Sequence, residues 1–388
     1  MTNSPSRLDR LLRYVELDPG NRILRLEAIR AAFTQGDWNA ARRLLDAGLA
    51  LQAGDAQLLE LSGFSHLQAH AYPDAEQALR GALDAGAGSP ELQYHLAIAL
   101  FMQRRHADAL ESLGAGAAEA QPPRARVLRA RCLHHLGRPD EAIAELETHL
   151  GLSPDDAEGH GLVALLLHEQ GRIGPARTHA DAALGRNPRQ VEGLLTRASL
   201  QVDAQELDAA RATFDAVVGA DPGCGRAWLG LALLNLRELK LEAANRDIDA
   251  ATVHLPGHLG TWHVLAWIRI LLGDVGGARA AFERARELDR NFGETHGGLA
   301  VIAALQNREE EARLSAKRAL RLDPQSLSAK YAEMLLLKRD GRHDDARAVL
   351  ESVLSCEAQR GSGPYRQLII EQLQFLQARS GKPATVYH

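Results

Sequence analysis

An alanine returns every 34 residues along most of this chain, with a single step of 33: Ala41, Ala75, Ala109, Ala142, Ala176, Ala210, Ala244, Ala278, Ala312 and Ala346. A fixed period of this length restricts the fold to stacked supersecondary units, each burying its apolar face against its neighbours. At 388 residues the chain would otherwise suggest two or three globular domains. The period divides it instead into ten units: 22–55, 56–89, 90–122, 123–156, 157–190, 191–224, 225–258, 259–292, 293–326 and 327–360. The recurring alanine is position 20 of each.

Other positions say what each unit is. Position 8 is small in eight units, as Gly63, Ala97, Ala130, Ala164, Ala198, Ala232, Ala266 and Ala300. Small residues eight and twenty places into the unit are expected to meet where two antiparallel helices approach closely. Position 15 is glycine in Gly36, Gly137, Gly171, Gly273 and Gly341, where a first helix ends in a left-handed residue. Position 32 is proline in Pro154, Pro188, Pro222, Pro256 and Pro324, which stops a second helix. Each unit therefore reads as helix, tight turn, helix, turn.

The clearest copy, residues 259–292, carries Trp262, Leu265 and Ala266 in its first helix and Ala278, Phe282 and Ala285 in its second; Trp228, Leu231 and Ala232 repeat the opening 34 residues upstream. This spacing resembles the tetratricopeptide repeat family. The resemblance implies an all-α, right-handed α-solenoid (superhelix) of about ten such repeats with helical caps, acting as a protein–protein interaction scaffold or adaptor. Departures are Arg129 and Arg197 at position 7 and Leu100, Leu133, Leu167 or Arg269 in place of the family's tyrosine. Residues 1–21 form an N-terminal capping half repeat, with Leu8, Leu11, Leu12 and Val15 on one helical face. Residues 361–388 are expected to hold a capping helix, with Leu368, Ile369, Leu373 and Leu376 at helical spacing, and a flexible tail.

The resemblance also implies that positions 2, 5, 9 and 12 line a concave groove that captures a partner peptide or helix. It nominates one apolar patch of Phe64, Leu67, Tyr94, Ile98 and Phe101, and a second of Leu233, Leu236, Trp267, Ile270 and Val301. Trp267 and His263 are not required by the repeat pattern, whereas Trp38 at position 17 is expected to pack. Trp267 is expected to anchor a partner, since truncating such an anchor typically costs ~2 kcal/mol or more. Groove charge runs from Arg124 and Arg131, flanked by Arg126 and Arg129, through Glu158 and Glu192 to Arg226 and Arg237, which would set a partner's register. The family's carboxylate clamp has no match, because Leu26, Arg30, Leu61, Glu91 and His95 occupy its positions.

Composition narrows the partners. A formal net charge of -5 without long basic runs argues against nonspecific nucleic-acid binding. No apolar run approaches the ~20 residues of a membrane-spanning helix. The scattered Cys132, Cys224 and Cys356 form no CxxC pair, and the N-terminus lacks a signal peptide's apolar stretch. A cytoplasmic protein is expected. Sixteen histidines raise the question of a metal, but His134 and His168 lie one helix pair apart, and the i,i+4 pair His66 and His70 lacks further ligands. Neither a metal nor another cofactor is expected. With no GxSxG, GxxxxGK or HExxH pattern, neither is catalysis. Two alternatives stay open: a regulatory subunit binding a small ligand in the groove, and a homo-oligomer built through the C-terminal helix.

Overall fold

In a computed structural model, which describes residues 6–114 and 122–349, the backbone turns left-handed at position 15 of all ten units. Five of these residues are the glycines expected there; the others are His70, Arg104, Gln205, Leu239 and Asn307, with φ between 56° and 64°. The turn is therefore imposed by the packing of the helices it joins, and glycine only lowers its cost.

Helix α1 (Arg7–Leu17) comes first. It is followed by the pairs α2 (Arg22–Gln35) and α3 (Trp38–Leu51), α4 (Ala56–Gln68) and α5 (Tyr72–Asp84), α6 (Pro90–Met102) and α7 (His106–Ser112), α8 (Pro123–His135) and α9 (Pro139–Leu152), and α10 (Ala157–Glu169) and α11 (Ile173–Arg186). The series continues with α12 (Val191–Asp203) and α13 (Leu207–Ala220), α14 (Gly225–Arg237) and α15 (Leu241–His254), α16 (Leu259–Leu271) and α17 (Val275–Leu288), α18 (Gly293–Leu305) and α19 (Glu309–Leu322), then α20 (Leu327–Arg339). Residues 343–349 are helical too, and no strand occurs among the described residues. The fold is an all-α solenoid. It divides into two compact units, one ending at Gly193 and the other beginning at Leu194. The anticipated C-terminal helix, with Leu368, Ile369, Leu373 and Leu376, and the tail after it lie outside the described residues.

Every position-20 alanine is at most 1% exposed. At Gly63 the nearest neighbour is a third position. A Cβ added at Gly63 would lie 2.4 Å from Cγ of Leu79, so its closest neighbour is position 24 of the same repeat and not Ala75 at position 20. Position 24 also presses on the repeat that follows. The rings of Phe214 and Phe282 occupy the space where Gly230 and Gly298 would carry a Cβ, at 2.4 and 2.3 Å. A large side chain at position 24 thus fills the gap between two first helices, which must supply small residues opposite it.

A second regular contact explains the repeat's opening tryptophan. Trp228 and Trp262 donate their indole N–H groups to the carbonyls of Pro222 and Pro256, at 2.9 and 3.0 Å. Histidine does the same work at the equivalent position: Nε2 of His160 lies 3.0 Å from the Pro154 carbonyl, and Nε2 of His296 lies 2.8 Å from that of Arg290. Each contact ties a first helix to the turn before it. At the N-terminus, Ser6 and Asp9 form a reciprocal capping box on α1, whose Leu8 and Val15 are buried.

Candidate partner-binding surfaces

In the N-terminal unit, first helices α2, α4 and α6 bring a run of rings together. Phe33 on α2 lies 5.4 Å from Trp38 on α3 and 5.4 Å, edge-on, from Phe64 on α4. Phe64 lies 5.2 Å from His95, which is 6.0 Å from Tyr94 on the same helix. Phe33, Phe64, Tyr94, His95, Ile98 and Phe101 are all half-buried, and Trp38 is 36% exposed. Phe101 continues the apolar surface to a stacked imidazole pair, His106 and His135, whose rings are 4.3 Å apart and 9° from parallel.

Phe64, Tyr94, Ile98 and Phe101 thus share a partly open surface, while their predicted companion Leu67 is buried. Phe33, Trp38, His95, His106 and His135 were not anticipated in it. Phe33 occupies position 12, so applying the groove rule to the first repeat would have found it. Trp38 packs as expected, against Phe33 and Phe64, and remains 36% exposed. Burial pushes the Tyr94 phenol up and the His95 and His106 imidazoles down, so all three are neutral near pH 7. Nδ1 of His95 and of His106 is buried without a hydrogen-bond partner.

The charged residues of this unit are largely engaged with one another. Arg131 on α8 reaches Glu158 on α10 at 3.0 Å and Glu192 on α12 at 2.6 Å, linking three successive first helices. Arg126 and Arg129 turn to Glu145 on α9, and Arg129 also donates to the carbonyls of Leu113 and Gly114. Of the four arginines on α8, Arg124 alone is exposed and forms no ion pair with a described residue. Three of these four arginines are therefore engaged within the chain, Arg126 and Arg129 inside their own repeat and Arg131 across repeats.

The C-terminal unit treats the corresponding positions differently. Trp267 is 2% exposed, His263 1%, Leu236 2% and Val301 fully buried. The expectation that Trp267 stands open as an anchor is corrected. Its ring meets Phe282 edge-on at 6.3 Å and Tyr331 at 6.0 Å, inside one hydrophobic cluster with Val301. His263 lies 5.4 Å from Phe282 and holds Thr295 Oγ1 at 2.8 Å; burial depresses its pKa to about 3. Only Leu233 and Ile270 are half-buried, and Arg226 is exposed.

Helix α18 shows how this dense packing arises. All eleven residues from Gly293 to Ala303 are buried. A Cβ on Gly297 would sit 2.6 Å from the backbone nitrogen of Ala329, so α18 and α20 approach through a residue without a side chain. Beside it the buried Glu294 carboxylate accepts the Leu327 and Ser328 amides at 2.6 and 3.1 Å, capping α20 from another repeat.

No group of three or more histidine, cysteine or carboxylate side chains is placed to hold a metal among the described residues. His134 pairs instead with Glu169 at 2.8 Å, and His70 Nδ1 lies 2.9 Å from the Tyr72 hydroxyl. No described helix is long and apolar enough to cross a membrane.

Comparison with known proteins fits this geometry. The tetratricopeptide repeat profile matches residues 26–90, 136–191, 162–223, 195–252 and 264–326, and the profile for the anaphase-promoting complex, cyclosome, subunit 3 matches 68–149. Comparison with curated proteins gives no match. Among solved structures, the chain is similar to the APC/C hetero-tetramer Cut9–Hcn1, with a TM-score of 0.52, 14% identity, and coverage of 97% of this chain and 91% of that one. It is also similar to the human IFIT1 dimer with PPP-AAAA, with a TM-score of 0.55, 14% identity, and 97% and 96% coverage. A monomeric IFIT1 mutant with Gppp-AAAA gives a TM-score of 0.57 at 14% identity over 95% and 94% of the two chains. Identities this low speak to the fold alone. The repeat profile, which extends over more than half of the sequence, identifies the chain as a member of the tetratricopeptide repeat family.

Proposed function

We propose that this protein is an interaction scaffold whose N-terminal unit captures an extended or helical segment of a protein partner, in the assembly or regulation of a larger complex. The observation that carries this reading is the half-buried ring surface of Phe33, Phe64, Tyr94 and Phe101. Aromatic side chains of this kind supply large contact area with little ordering entropy. Arg124 and the exposed Glu158 flank the surface and would set a partner's register. A preformed array also loses little freedom of its own on binding. The protein would act by binding and not by catalysis, in the cytoplasm, where the free thiols of Cys132 and Cys224 stay reduced.

Site-specific photo-crosslinking in the native cell tests this. A benzoylphenylalanine at position 94 should crosslink to a discrete polypeptide, while the same group at Leu152, which is 76% exposed away from the rings, should not. Identical crosslinks from both positions would contradict the proposal.

A further inference from the structure

The ring surface leaves unexplained the outer face of α19 in the C-terminal unit. Leu314, Lys317, Arg318, Arg321 and Leu322 follow one another at helical spacing, so they share one face. All five are exposed, Leu314 at 72% and Leu322 at 41%. They border an open groove of about 650 Å³ against α17, with the apolar Leu299 at its base.

The charge of this groove is unbalanced. Its two carboxylates are already matched: Glu311 by Arg279 at 3.1 Å and by Arg308 at 2.5 Å, and Glu283 by Arg279 at 3.8 Å and by Arg286. Lys317, Arg318 and Arg321 form no ion pair with a described residue and remain as surplus positive charge. Cations near a helix C-terminus suit the helix dipole, which accounts for Arg321. It does not account for two leucines exposed on the same face.

We propose that this groove docks an acidic, leucine-bearing segment of a protein partner, whose carboxylates meet Lys317, Arg318 and Arg321 while its aliphatic side chains cover Leu314 and Leu322. The exposed Leu314 and Leu322 favour a peptide with aliphatic side chains over a nucleic-acid backbone. The apolar pair favours it over a simple anion. This surface is separate from the aromatic one, so one array could hold two partners, or two parts of one partner.

Fluorescence anisotropy with the full chain tests the proposal. The probe is a labelled helical peptide with leucine at i, i+3 and i+7 and glutamate at the remaining positions. It should bind at near-physiological salt and lose about tenfold or more in affinity to the triple variant Lys317→Glu, Arg318→Glu, Arg321→Glu. Leu314→Ser should weaken it severalfold with melting unchanged. A peptide with glutamine in place of glutamate should bind no better to the native chain than to the triple variant. Failure of the glutamate peptide to bind, equal binding of the glutamine peptide, or indifference to Leu314→Ser would each overturn the proposal. So would labelled oligouridylate or phosphatidylserine vesicles binding more tightly than the peptide through the same three cations.

Discussion

The first helices of the two units carry large side chains at equivalent repeat positions and use them in opposite ways. Phe64, Tyr94 and Phe101 in the N-terminal unit keep part of each ring open, whereas His263, Trp267 and Val301 in the C-terminal unit are enclosed. Glycines mark the difference. Gly297 lets α18 and α20 approach to backbone contact, and Gly298 admits the ring of Phe282, against which both His263 and Trp267 pack. A repeat position therefore fixes where a side chain starts. The residues opposite it decide whether it becomes surface or core.

The largest effect that would sharpen this contrast is truncation of the enclosed tryptophan. Trp267→Ala should cost about 3–5 kcal/mol by leaving a cavity, while Phe64→Ala, at a half-buried ring, should cost about 1 kcal/mol. Denaturant unfolding of the two variants measures both, and equal losses would erase the distinction. Next is Gly297→Ala, expected to cost about 3 kcal/mol because the atom in its way is backbone and cannot swing aside. Its counterpart Gly81→Ala meets only Leu59 at 3.5 Å and should leave stability within about 0.5 kcal/mol of the native value.

Acid should also act on the enclosed cluster. Burial lowers the folded pKa of His263 from 6.5 to about 3, so its contribution is complete above pH 6.5 and is lost as pH falls toward 3. At pH 5 the loss amounts to about 2 kcal/mol. Glu294 acts in the opposite sense: burial raises its carboxyl pKa, so its contribution is present in acid and lost as pH rises through the folded value. Hydrogen exchange of α16 amides should accelerate from pH 7 to pH 5, after correction for intrinsic rates, and His263→Gln should flatten that dependence. The smallest effect is at the turns. Leu239, held at φ 57°, should gain about 1 kcal/mol on replacement by glycine, as read from the melting temperature.

Much of the fold is legible in the alanines at position 20 and the turn residues at positions 15 and 32, because these report contacts within a unit that every repeat must make. The left-handed turns at Leu239 and Gln205 are not legible, since nothing in those side chains favours the conformation. The candidate surface was legible in part. Phe64, Tyr94, Ile98 and Phe101 are half-buried, yet Trp267 satisfied the same positional rule and is core. Its burial depends on Phe282 and Tyr331, which belong to other helices and carry no local mark of facing it. Arg126, Arg129 and Arg131 of α8 misled for the same reason, their carboxylates being supplied by α9, α10 and α12.

The division between a binding surface and a packed core is tested most directly by recovering partners from the native cell with three forms of the full chain: unmodified, Phe64→Ser with Tyr94→Ser, and Trp267→Phe, each with its melting curve. The account predicts that the double variant loses its partner while remaining cooperatively folded, whereas Trp267→Phe melts lower than the unmodified chain and retains it. Retention by the double variant, together with loss from a stably folded Trp267→Phe, would contradict it.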